Sequence, residues 1–130
     1  MTTTIAVPIF RLDLNLKQGA GATITLNTVD KLGQVITDPS GYAVRAQIRR
    51  TPAGPVLFTW DSVTGPGLAV ITYTPGPPAV SQTVLTLTGA QTATFNFRVA
   101  QWDCFLMAPA QEPACLAAGV VRVEPWVTHQ

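Results

Sequence analysis

The chain has 130 residues, 47% of them apolar and only 12% charged, with a net charge of +1. Charged residues average about 25% of ordinary chains. The surface is therefore unusually neutral, and with no basic run longer than Arg49-Arg50 it lacks the clustered cationic footprint of nucleic-acid binding. No uninterrupted apolar run reaches the roughly 18 residues of a membrane-spanning helix, which predicts no membrane insertion.

The length is that of one domain. Residues 1–8 have neither a basic start nor a long apolar core, so no signal peptide is expected. They read as an extended N-terminal arm, with Ile5 and Val7 as its apolar contacts. The first strand runs from Ile9 to Leu16, with Phe10, Leu12, Leu14 and Leu16 on one face and Arg11, Asp13 and Asn15 on the other. Ala22 to Val29 alternates through Ile24 and Leu26. After the turn at Asp38-Pro39-Ser40-Gly41, Tyr42 to Arg50 alternates strictly. Tyr42, Val44, Ala46 and Ile48 share the dry face; Ala43, Arg45, Gln47 and Arg49 share the wet one.

Further strands follow at Val56 to Trp60, Leu68 to Tyr73, Val80 to Leu87, Phe95 to Met107 and Cys115 to Val123, separated by Pro- and Gly-rich turns. Gly89 to Ala93 has room for one short helical turn. No segment keeps a helical apolar period for three turns. Short strands at intervals of about 8–12 residues predict an all-β chain, a single antiparallel β-sandwich of immunoglobulin or jelly-roll type over residues 9–124. Residues 125–130 form a C-terminal tail.

Chemistry-bearing groups are sparse. His129 is the only histidine and stands next to the last residue, without neighbours to orient it as a base. The acids are scattered singly. Asp30 and Asp38 sit beside turns, where an Asp side chain bonds the local backbone; Asp13, Asp61 and Asp103 fall at outward strand positions. With the loop of the last hairpin centred between Pro109 and Ala110, Cys104 and Cys115 lie opposite each other; by strand parity Trp102, Cys104 and Leu106 share one face, as do Cys115, Ala117, Val121 and Val123. A cross-strand disulfide and two free thiols both fit, the latter favoured by cytoplasmic assembly. No catalytic residue, metal site or cofactor is expected. Outward aromatics are candidate contacts instead: Phe105 in the last long hairpin and Trp126 in the tail. Arg45 and Arg49 join them as candidate partner contacts on the wet face of their strand.

Several blocks, taken in order, resemble small virion proteins of tailed bacteriophages, in particular the N-terminal β-sandwich domain of the baseplate upper protein family. They are Asp30 to Arg49, ending in Gly41-Tyr42-Ala43-Val44-Arg45-Ala46-Gln47-Ile48-Arg49; Leu85 to Ala93; Trp102-Asp103; and Gly119 to Thr128. Thr37-Asp38-Pro39-Ser40 departs from the family's Asp-Leu-Thr turn. The resemblance implies a non-enzymatic virion building block, assembled in the host cytoplasm, whose partners are other virion proteins and copies of itself. A tail-tip or baseplate adaptor is the first reading. A capsid decoration protein, and a module binding carbohydrate or a host-surface glycan, are the alternatives.

Overall fold

The computed structural model describes residues 10–30, 33–63, 66–108 and 113–125. The proposed arm contacts Ile5 and Val7, the tail residues Trp126 and His129, and the tip of the last hairpin lie outside them. The described residues form nine strands: β1 (Phe10–Arg11), β2 (Leu14–Lys17), β3 (Ala22–Asn27), β4 (Ala43–Arg49), β5 (Val56–Asp61), β6 (Gly67–Thr74), β7 (Val80–Leu87), β8 (Val99–Met107) and β9 (Ala114–Glu124). One helical turn, α1 (Gly89–Ala93), and a 3-10 turn at Pro39–Gly41 complete the described elements.

The all-β expectation is met, but the strands do not divide into two facing sheets. They form one continuous path, β1-β9-β8-β4-β5-β6-β7-β3, with β2 also on β9. The path curls into a nearly closed, barrel-like sheet. Nor is the sheet purely antiparallel. β1 and β2 both run parallel to β9, and β5 runs parallel to β6. β1 and β2 lie alongside β9 in the same direction, and the short β2–β3 corner carries the chain to the opposite end of the path.

The alternation read in β4 holds. Val44, Ala46 and Ile48 are fully buried and Tyr42 half-buried against the same core. Leu14, Leu16, Ile24, Leu26, Leu85, Leu87, Trp102, Cys104 and Leu106 face inward with them. An aromatic chain runs through this interior. Phe58 packs edge-on against Trp60 at 5.1 Å and against Phe95 at 5.4 Å, and Trp60 meets Trp102 at 6.4 Å.

Two segments differ from the expected strands. The first breaks at Leu12-Asp13, where the chain steps over the backbone of Gly119. A Cβ on Gly119 would collide with the Leu12 carbonyl. The Leu12 N–H donates to the Ala118 carbonyl (3.0 Å), and the Leu12 carbonyl accepts from the Trp102 indole (2.7 Å). Phe95 to Arg98 is not strand; Phe95 and Phe97 are buried as a plug below α1.

α1 closes the end of the barrel. Thr88 and Gln91 form a reciprocal capping box, the standard way to satisfy free N–H groups at a helix start. Gln91 also donates to the Pro66 carbonyl at 2.6 Å. Buried Thr92 accepts from the Gly19 N–H (3.1 Å) and donates to the Ala20 carbonyl (2.9 Å), while Gln18 donates to the Phe95 carbonyl (2.9 Å). One turn of helix thus ties the β2–β3 corner to the start of β6.

Replacing Trp102 by Phe keeps the ring but strands the Leu12 carbonyl. A buried acceptor left unsatisfied costs about 1–3 kcal/mol. The Trp102→Phe variant should unfold at correspondingly lower urea concentration, and amide exchange should accelerate first at residues 10–13. Unchanged exchange there would refute the pinning role of the indole.

Candidate functional site

The outward surface of the sheet has two unlike halves. The first covers β4, β8 and β9. In β4 and β8 the outward residues lie side by side in three rows: Arg45 beside Phe105, Gln47 beside Asp103, and Arg49 beside Gln101. On β9 the rows continue through Cys115, Ala118 and Val120. Three of the contact residues read from the sequence, Arg45, Arg49 and Phe105, are thereby brought onto one surface. Two adjoining hollows of about 580 and 520 Å³ cross it, sharing Gln47, Arg49, Pro52 and Asp103.

The charges on this half are paired locally. Arg45 Nε bonds Asp61 Oδ2 at 2.9 Å. Asp61 was expected at an outward, solvated position; it is buried instead, because Arg45 lies across it and the Val63 N–H donates to its other oxygen at 2.8 Å. Asp13 approaches Arg11 at 3.6 Å and accepts from the Val120 N–H at 3.0 Å. Arg49 donates to the Gly54 carbonyl (2.6 Å) and to Gln47 Oε1 (3.1 Å). The Asp103 carboxylate has no hydrogen bond among the described residues. Partial burial raises its pKa above the ordinary 3.8, and the Arg49 guanidinium offsets only part of that rise.

The cysteines do not share a face. A register shift between Cys104 and Phe105 places Ala117 opposite Cys104 and Cys115 opposite Phe105, with Leu116 as the extra residue of the bulge. A bulge reverses parity downstream of it, a signal that alternation alone did not carry. Both thiols are free. Burial pushes Cys104 up to about 12, with Cys115 and Asp103 adding to the rise. Cys115, half-buried, is also raised, chiefly by burial. Asp30 and Asp38 behave as read: each accepts from a nearby backbone N–H, of Gln34 at 3.0 Å and Ser40 at 3.2 Å. The Ser40 hydroxyl also donates to Asp38, at 2.8 Å, and this bond first, with the backbone one second, holds Asp38 below the ordinary carboxylate value.

The second half covers β3, β7 and β6, and the sequence reading missed it. Its outward rows are Thr23, Thr86 and Leu68; Thr25, Val84 and Val70; and Asn27, Gln82 and Thr72. None of the chain's eight Lys and Arg or seven Asp and Glu falls in these three strands. Leu68 is 60% exposed and Val70 40%. β3 ends the path, so among the described residues one of its edges carries no strand. The signal was present as a charge-free composition, but only the register shows that the three strands are neighbours.

Among the described residues no three His, Cys, Asp or Glu gather at metal-binding range, and no helix is long and apolar enough to cross a membrane. No protein-family model matches the chain, and no curated protein matches it.

Two expectations follow. Iodoacetamide at pH 8 should alkylate Cys115 slowly and Cys104 only after denaturation, as read by mass spectrometry; prompt native labelling of Cys104 would contradict its burial. Asp103 binds its proton more tightly in the folded chain than in the unfolded one. Its contribution to stability therefore falls as pH rises from about 4 through the raised folded pKa. Asp103→Asn should raise the urea midpoint at pH 7 and flatten its dependence across that window. A midpoint unchanged at pH 7 would show that Arg49 fully compensates the charge.

Proposed function

We propose that this chain is a non-enzymatic structural protein of a tailed-phage virion, a tail-tip or baseplate adaptor that assembles through subunit contacts, including contacts with copies of itself. The observation that carries this reading is the charge-free outer face of β3, β7 and β6, which ends at an edge without a strand partner among the described residues. Natural edges are usually blunted by Lys, Pro or a bulge; β3 has none of these. Such an edge suits pairing with a strand of another subunit. A face without charge is also cheap to bury, because no ion loses its hydration. The ordered sequence blocks that resemble the baseplate upper protein family support the same reading: they build β4, the β7–α1 corner and the β8–β9 hairpin.

The size of the face fixes the kind of assembly. Three strands about 4.8 Å apart and six residues long at about 3.4 Å per residue cover on the order of 300 Å². A stable pairwise complex buries about 800 Å² per partner. This contact is therefore one of several in a multivalent particle, where each is individually weak. In dilute solution the protein should sediment as a monomer with weak, concentration-dependent association. The Leu68→Glu, Val70→Lys double variant should keep the wild-type circular dichroism yet fail to enter particles. Normal incorporation of that variant would sink the proposal. Recovery of the protein with tail-free capsids would replace the adaptor by a decoration protein.

A further inference from the structure

We infer that the hollow across β4 and β8 is a binding site for a neutral carbohydrate. It lies on the other half of the sheet from the charge-free face, so the two surfaces can be tested separately.

The groups in the hollow define the ligand by elimination. Asp103 presents acceptor oxygens that no described residue satisfies, in a partly desolvated position. Its cross-strand neighbour Gln47 gives its oxygen to Arg49, which leaves the Gln47 amide N–H groups as donors. Arg49 is itself anchored on the Gly54 carbonyl. A donor and an acceptor are thus held on adjacent strands, about 5 Å apart between Cβ atoms. Sugar hydroxyls donate and accept at once, and neighbouring hydroxyls on one ring can engage both groups. Phe105, Met107 and Pro113 line the far end and suit the apolar face of a pyranose ring.

Charge excludes the other common ligands. Each arginine of the hollow has an aspartate counterpart: Arg11 with Asp13, Arg45 with Asp61, and Arg49 near Asp103. An anionic ligand meets the Asp103 carboxylate; a cationic one meets Arg49 and Arg45. A peptide strand adds to a sheet at its edge, whereas this hollow lies on the face of strands already paired on both sides. Each of the two adjoining hollows that make it up, about 580 and 520 Å³, falls within the range of about 300–1,000 Å³ usual for small-molecule sites, enough for one or two sugar rings.

The test is a printed array of neutral oligosaccharides of the glucose, galactose and N-acetylglucosamine series, probed with the full chain, followed by calorimetric titration of the strongest binder. Asp103→Asn and Phe105→Ala should each weaken binding about tenfold or more, and Gln47→Ala similarly, with circular dichroism of the folded chain unchanged and the Asp103→Asn melt no lower than the wild type's. The Gln47 side-chain amide resonances should shift on titration. Absence of binding to any neutral glycan overturns the proposal. So does binding only to sialylated or sulfated glycans, binding only to peptides, or glycan binding that all three variants leave intact.

Discussion

The fold depends on a narrow seam between β5 and β6. These strands pair in parallel over two positions only, Trp60 with Gly67 and Asp61 with Leu68. All strands toward β1 lie on one side of the seam, and β6, β7 and β3 lie on the other. The Trp60 indole spans it. Its Nε1 donates to the Thr86 carbonyl on β7 at 3.1 Å, and its ring together with that of Phe58 occupies the space a side chain on Gly67 would need, each with an atom 2.6 Å from the ideal Cβ position. A two-position pairing supplies little backbone bonding, so a fully buried tryptophan carries the junction through area and one bond.

The opposite join is made differently. There β2 and β3 are linked by a tight corner, and Thr92 and Gln18 fasten it with side-chain bonds to backbone groups. Gln91 then reaches Pro66, next to the seam. A buried tryptophan and a five-residue helix thus hold together a sheet whose two halves are otherwise only weakly paired. The division has a surface counterpart. Every charged residue of the strands belongs to the β1-β9-β8-β4-β5 side and its β2 neighbour, and the remaining side has none. One small domain can therefore offer a neutral face to subunits and a polar hollow to a different kind of ligand.

Much of the fold was legible in the chain because strand alternation is a local property. The inward sets of β4 and β8 followed from it, as did the outward positions of Arg45, Arg49 and Phe105. What alternation missed has a physical cause in each case. The break at Leu12-Asp13 arises from the crossing over Gly119. The placement of Cys115 arises from a bulge that resets parity. Asp61 is buried because Arg45, sixteen residues earlier, lies over it. The neighbouring of β3, β7 and β6, and hence the charge-free face, depends on pairings between residues as far apart as Thr23 and Thr86.

The sequence by itself determined that the chain would be all-β, which residues strands such as β4 and β8 would turn inward, and that its surface would be poor in charge, because composition and a two-residue period act within a few residues of chain. Only the tertiary structure decided that the strands form one mixed, nearly closed sheet rather than two facing ones. It also decided that Gln47, Arg49, Asp103 and Phe105 share a hollow, and that the uncharged strands form a single face. Those outcomes turn on register and strand order, which are set by contacts between distant residues such as Trp60 with Gly67 and Trp102 with Leu12, and no local period encodes them.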